Sequence, residues 1–89
     1  MKESTVKNLK KSGLNPDEFT SESPQSLVDR IVVADPKTFG FSKDKVLFKV
    51  TGGFGANLSC RGTALFVKRE FDGAEGRIER YDIVAVKKT

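Results

Sequence analysis

The sequence predicts a small, mainly β domain in which five short antiparallel strands close into a barrel. Three observations support this prediction. The chain has 89 residues, which is enough for one domain with one core. Three apolar runs between residues 46 and 86 are separated by glycine clusters of the kind found in turns. Apolar and polar residues alternate in the first of these runs, which indicates a strand with one buried face.

Residues 1–26 are predicted to precede the barrel, which occupies residues 27–89. The N-terminal segment is rich in Ser, Lys, Glu and Pro and poor in large apolar side chains. A helix capped by Ser4 and closed by Gly13 is too short to be stable alone, so we expect a poorly ordered tail or short helical turns. The alternative is a short helix that docks on the barrel through Val6, Leu9, Leu14 and Phe19.

The first predicted strand is Arg30–Ala34, because it contains three consecutive β-branched residues. The segment Asp35-Pro36-Lys37-Thr38 that follows has the composition of a type I turn, with Asp first and Pro second. This turn leads through Phe39-Gly40-Phe41 to the second strand.

The predicted second strand, residues 45–51, alternates between apolar and polar side chains. Its apolar members are expected to face the core, so Lys45 and Lys49 project outward. The inward set is Val46, Phe48 and Val50.

The phase of the third strand, within residues 63–71, is ambiguous. We favour Leu65 and Val67 facing inward, which leaves Phe66 and Lys68 on the outer face with the strand-two lysines. In the opposite phase Phe66 is buried, and a bulge could bury members of both sets.

The last two predicted strands are Arg77–Arg80, anchored by Ile78, and Ile83–Val86, with a polar break between them at Tyr81-Asp82. A long early loop, a tight central hairpin and a polar break before a short last strand together resemble the SH3-like barrels. The resemblance covers residues 27–87, concerns shape alone and rests on no diagnostic motif. An OB-like barrel, or a curved sheet packed on an N-terminal helix, is the alternative.

The charge distribution is compatible with an anionic partner and also with a lysine-rich surface that serves solubility alone. The net charge is +4, and residues 43–69 alone hold six bases against the single acid Asp44. Lysines interleaved with an exposed aromatic residue are typical of surfaces that contact nucleic-acid backbone. We therefore predict a non-catalytic binding module that acts through this basic face. The candidate residues are Lys45, Lys49, Phe54, Arg61, Phe66 and Lys68.

Phe54 supports an alternative function. Glycines on both sides allow unusual backbone angles and close approach of a partner, so Phe54 could insert into a protein as part of an interaction module, regulator or inhibitor. The competing interpretation is that Phe54 folds back and plugs the mouth of the barrel. A third hypothesis pairs sheet edges between two copies to form a dimer, and we expect the protein to be a monomer or a weak homodimer.

The composition argues against an enzyme and predicts no cofactor or metal. The chain contains no histidine, and its one cysteine, Cys60, has no histidine to activate it. The segment Thr51–Asn57 follows a strand as phosphate loops do, but neither a helix start nor a Gly-Lys-Ser/Thr pattern follows it. An apolar membrane segment and a signal peptide are both absent from the sequence, so we expect a cytoplasmic protein without a membrane partner.

Overall fold

One antiparallel sheet of six strands organises residues 1–88, the part of the chain that the computed structural model describes. Its order is β1-β6-β2-β3-β4-β5, so β1 and β5 are the edges. The predicted mainly β fold is confirmed. The predicted closed, five-stranded barrel is wrong, because the two edges do not pair and a sixth strand is present. The strands are β1 (Phe19–Thr20), β2 (Ile31–Ala34), β3 (Leu47–Gly52), β4 (Ala64–Arg69), β5 (Glu75–Glu79) and β6 (Ile83–Lys87).

Short helical elements connect and flank the strands. Asp35 explains why one of them starts where it does: its carboxylate accepts a hydrogen bond from the backbone N–H of Lys37 at 2.9 Å. The chain then makes a full helical turn after Asp35, where the sequence predicts a type I turn. The helices are α1 (Glu3–Lys11), α2 (Pro36–Phe39) and α3 (Lys43–Val46), and 3₁₀ turns occupy Pro16–Glu18, Phe54–Ala56 and Arg80–Asp82.

The N-terminal residues share the sheet and the core of the rest of the chain. α1 is a short helix whose Leu9 is fully buried. Phe19 lies in the edge strand β1, which pairs with β6 through Phe19 and Lys87. Leu14 is buried as well, whereas Val6 is only half-buried. The docked helix that the sequence left as an alternative is therefore the arrangement found here.

Apolar side chains form two clusters. The first contains inward-facing residues from β2, β3, β4, β5 and β6, and the second lies where α1 packs on the sheet. The first cluster comprises Leu27, Val32, Ala34, Phe48, Val50, Ala56, Leu65, Val67, Ile78 and Val86. The second comprises Leu9, Leu14, Phe19, Val33, Val46 and Ala85.

The start of the predicted second strand needs a correction. Lys45 and Val46 lie in α3 and not in a strand, and β3 begins only at Leu47. Val46 is buried in the second cluster, whereas Phe48 and Val50 belong to the first. A helical turn does not alternate side chains between two faces, so the alternation begins at β3.

In β4 the favoured phase is confirmed. Leu65 and Val67 are buried, and Phe66 between them is 56% exposed. Lys68 is exposed as well. The outer faces of β3 and β4 therefore carry the side chains that the alternation places there.

Candidate nucleic-acid interface

Lys49 and Lys68 face each other across β3 and β4. They are direct partners in the antiparallel ladder, and both side chains are exposed on the outer face. Like charges in this position destabilise a sheet. The ion pairs within residues 1–88 are Arg69–Asp72 and Arg77–Glu79, so neither lysine is in an ion pair, and the carboxylate placed opposite Lys68 on its other side is that of Glu75. The pair is consequently a place where an external anion would relieve repulsion.

Phe66 lies on the same face, two residues before Lys68. Its partner across the ladder is Gly52, which presents no side chain to cover the ring. A bulge at Thr51 shifts the register here, and the Thr51 hydroxyl donates a hydrogen bond to the Phe66 carbonyl at 3.0 Å. The backbone of Phe66 is thus fixed while its ring remains open to solvent. An aromatic ring beside two ammonium groups can stack on a base while they bind phosphate.

The loop between β3 and β4 holds Phe54 outward. Gly53 has φ +103°, and a Cβ there would lie 2.4 Å from the Ala64 carbonyl oxygen. Only glycine fits this backbone conformation and this close approach to β4. Phe54 opens the 3₁₀ turn that follows and is 75% exposed. The interpretation in which Phe54 folds back and plugs the mouth of the predicted barrel is therefore wrong.

Arg61 is exposed in the same loop, beside Gly62. A Cβ at Gly62 would lie 2.5 Å from the Cβ of Phe54, so Gly62 and Phe54 are in direct contact. Arg61 is therefore the chain neighbour of the glycine that contacts Phe54, although the two residues are seven apart in the sequence.

Lys45 lines a different surface. Its side chain lies near Gly40 and lines a cleft with Phe39 and Phe48, which pack in or against the first core cluster. Lys45 is not on the strand that carries Lys49, because α3 occupies its position. The structure thus pairs Lys49 with Lys68 and leaves Lys45 out of that register.

Neighbours that the sequence did not single out complete the outer face. Arg77 is the β5 partner of Phe66, and Glu75 is the partner of Lys68. The β4–β5 register places them there, and that register depends on how two separate segments pair rather than on the local pattern of either. The face is therefore basic at β3 and mixed in charge at β5.

Glu79, at the end of β5, is fixed by two donors. The Thr63 hydroxyl donates to its carboxylate at 2.7 Å, and the Arg77 guanidinium donates at 2.8 Å. These hydrogen bonds, that of Thr63 first, hold the pKa of Glu79 below its ordinary value. The carboxylate is thus charged near neutral pH and occupied by partners within the chain.

The described residues offer little for other chemistry. Within residues 1–88, His, Cys, Asp and Glu side chains do not gather in threes in a way that could hold a metal ion. Cys60 is a free, half-buried thiol. Over the same residues, every helix is too short or too polar to cross a lipid bilayer.

Comparison with known proteins adds no family to this description: the chain matches no family model, no curated protein and no solved structure.

Proposed function

We propose that this protein is a non-catalytic module that binds single-stranded nucleic acid through the outer face of β3 and β4. The observation that carries the proposal is the Lys49–Lys68 pair, two like charges placed opposite each other with no described carboxylate bonded to either. A phosphate group between the two ammonium groups would replace repulsion by two favourable contacts.

The aromatic side chains give the second half of the proposed interaction. Phe66 lies two residues from Lys68 on the same face and can stack on a base adjacent to the bound phosphate. Phe54 and Arg61, on the β3–β4 loop, would extend the interaction along the strand of nucleic acid. The proposed contacts are ion pairs with phosphate and stacking on base faces, and neither reads a base edge, so we expect little sequence preference.

We also propose an SH3-like topology that is opened at one edge. Strands β2 to β5 lie side by side in sequential order, and the last strand, β6, returns to pair with β2. The 3₁₀ turn at Arg80–Asp82, immediately before the last strand, supports the same proposal. On the outer face of β3 and β4, Lys49, Phe66 and Lys68 are exposed.

The test is the affinity for a fluorescently labelled oligothymidylate, measured by anisotropy as a function of salt. Affinity should fall as salt rises, because neutralising each phosphate releases counterions. Lys49→Gln or Lys68→Gln should weaken binding and reduce the slope of log affinity against log salt by about 0.7 for each phosphate that the variant no longer neutralises. Lys7→Gln, on the exposed side of α1, changes the net charge equally and is the matched control.

The proposal fails if binding is insensitive to salt, or if the three glutamine variants bind alike. In the second case the attraction would come from net charge rather than from a built face. Phe66→Ala provides a separate check, since removal of the stacking ring should weaken binding by about 1–3 kcal/mol without changing the salt slope.

A protein-interaction module that acts through Phe54 is the second candidate. Its specific support is the ring that is 75% exposed and rests on Gly62. This candidate predicts that Phe54→Ala weakens a protein complex by more than about 1 kcal/mol while Lys49→Gln has little effect. The nucleic-acid candidate predicts the larger effect at Lys49, so the two variants separate the candidates.

A further inference from the structure

β5 is an open edge, and its register shows which backbone groups are free. Two backbone hydrogen bonds continue the β4–β5 ladder at its ends. The backbone N–H of Arg69 donates to the Ala74 carbonyl at 2.9 Å, and the backbone N–H of Arg80 donates to the Thr63 carbonyl at 2.7 Å. Hydrogen-bonded and non-bonded pairs alternate along an antiparallel ladder. With the observed register, Gly76 pairs with Val67 in the bonded class.

The residues between these bonded positions direct their backbone groups away from β4. They are Glu75, Arg77 and Glu79. The N–H of Glu79 is already occupied, because it donates to the Asp82 carboxylate at 2.9 Å. The N–H and carbonyl groups of Glu75 and Arg77 therefore remain available to a further strand.

A cleft of about 260 Å³ opens directly beside this edge. Its walls include Phe39, Phe48, Val67 and Ile78, which contribute apolar surface continuous with the first core cluster. Sites for drug-sized ligands are larger, about 300–1,000 Å³, so the cleft suits a single apolar side chain better. A strand added to β5 would direct every second side chain toward it.

The rim of the cleft is basic. Lys45 and Arg69 are its bases on the core side of the sheet, whereas Arg77 and Glu75, which also line it, are the partners of Phe66 and Lys68 on the outer face. Arg69 and Arg77 are paired with Asp72 and Glu79 respectively, and Lys45 is in neither ion pair of residues 1–88. Lys45 therefore favours an occupant with a carboxylate next to its apolar residue.

From these three observations we propose that β5 binds an extended, acidic segment of a partner protein by strand addition. The segment bonds to the backbone of Glu75 and Arg77, seats one apolar side chain in the cleft between Phe39 and Ile78, and places an acidic side chain near Lys45. The cleft lies on the opposite side of the sheet from Lys49, Phe66 and Lys68, and the edge backbone lies beside that face, so the proposed site does not depend on the nucleic-acid function.

A second copy of the chain is the competing occupant. The outward side chains of β5 alternate Glu75, Arg77, Glu79, so pairing of two copies centred on Arg77 would place like charges opposite each other at every position. Pairing of two copies in another register would avoid this like-charge repulsion. Sedimentation of the free protein, which shows whether it dimerises, is therefore part of the test.

The test uses the full chain and a displayed library of linear peptides of about ten residues, enough to span the edge strand. Selected peptides are then measured by anisotropy against Arg77→Pro and Arg77→Ala. Proline removes the edge N–H of residue 77 without removing a bond to β4, and it is tolerated on the free side of an edge strand. Alanine removes the same side chain and keeps the N–H, so it is the matched control.

We expect peptides with an apolar residue next to an acid, whose affinity falls about tenfold in Arg77→Pro and changes less than about twofold in Arg77→Ala. Lys45→Gln should weaken the same peptides several-fold. Slower amide hydrogen exchange at Glu75 and Arg77 on binding would locate the added strand. Thermal unfolding of both Arg77 variants shows whether each remains folded.

Three results would overturn the proposal. One is a selection in which no peptide distinguishes Arg77→Pro from Arg77→Ala while both variants are folded. Another is exchange protection that appears elsewhere in the chain. The third is a dimer of the free protein that Arg77→Pro dissociates, because the edge would then belong to a second copy.

Discussion

Phe54 and Gly62 are in contact across the β3–β4 loop, at a distance that excludes any side chain on residue 62: an added Cβ would lie 2.5 Å from the Cβ of Phe54. This contact explains why an exposed phenylalanine has a defined position. The glycine supports the base of the side chain, and the ring beyond it is left to solvent.

Gly62→Ala should therefore displace Phe54 and lower the free energy of unfolding by about 1–3 kcal/mol, as overpacking does elsewhere. Chemical denaturation measures the change. Gly76→Ala is the control, because a Cβ there meets nothing within 4 Å, and its stability should be equal or slightly higher. Equal changes in the free energy of unfolding for the two substitutions would show that the contact between Gly62 and Phe54 does not matter for stability.

The sequence predicts a strand at β4 but leaves its phase ambiguous, because apolar and charged residues occur in both alternating sets. In the observed phase Leu65 and Val67 are buried and Lys68 is exposed, while Arg69, at the end of the strand, follows the inward set. The phase that exposes Phe66 follows from its two apolar neighbours rather than from Phe66 itself.

The beginning of β3 was not predictable from the same pattern. Lys45 and Val46 continue the alternation in sequence, yet they belong to α3. Alternation of apolar and polar residues cannot mark where a strand begins if the residues of the preceding helical turn show the same alternation. The polar residues Ser42 and Asp44, which are common at helix starts, are the available signal.

The open edge and the Lys49–Lys68 pair depend on contacts between distant segments. Closure requires β5 to reach β1, and those strands lie at opposite ends of the order. The lysine pairing requires the register that the bulge at Thr51 sets. The local sequence shows neither whether the sheet closes nor which residues pair across strands. Charge content therefore suggested an anionic partner but could not show that Lys49 lies opposite Lys68.

Leu9 tests whether residues 1–26 are part of the folding unit. It is fully buried in the second cluster with Phe19 and Val33. Leu9→Ala should cost about 2–5 kcal/mol of unfolding free energy, the usual range for a buried leucine. Lys7→Ala, on the exposed side of the same helix, should change stability by less than about 0.5 kcal/mol.

Urea unfolding followed by circular dichroism measures both variants. A single transition that shifts with Leu9→Ala would show that α1 and the sheet unfold together. An unchanged midpoint for the sheet would show that the N-terminal residues contribute nothing to it, despite their burial.

Thr63 and Glu79 give a prediction for pH. The hydrogen bonds that lower the pKa of Glu79 stabilise its charged form in the folded state. A depressed folded-state pKa contributes stability that is complete above the ordinary value of 4.5 and is lost as pH falls below it. Stability should therefore decline on acidification over this range.

Thr63→Val removes the larger cause of the shift, so the pKa of Glu79 should rise toward 4.5 and the acid-induced loss of stability should become smaller. Carboxyl carbon chemical shifts followed through a pH titration measure the first effect. Asp72 is the internal control, because its lowered pKa is due chiefly to the Ala74 backbone N–H and should not move. Identical Glu79 titrations in both proteins would contradict the assignment.

Substitution of Lys49 is expected to change stability and nucleic-acid affinity in opposite directions. Its cross-strand neighbours are Lys68 and Ile31, so removing its charge removes repulsion without breaking an ion pair. Lys49→Gln should raise the free energy of unfolding by about 0.2–1 kcal/mol at low salt. The gain should shrink as added salt screens the pair in the wild type.

The same substitution should weaken oligothymidylate binding, so stability and affinity change in opposite directions. A residue with a structural role alone would not show this opposition, and a residue that merely adds net charge would behave like Lys7. Thermal unfolding at two salt concentrations, together with the anisotropy titration, gives both quantities on one variant. If Lys49→Gln destabilises the fold, the lysine pair is compensated within the chain, and an external phosphate would have no repulsion to relieve.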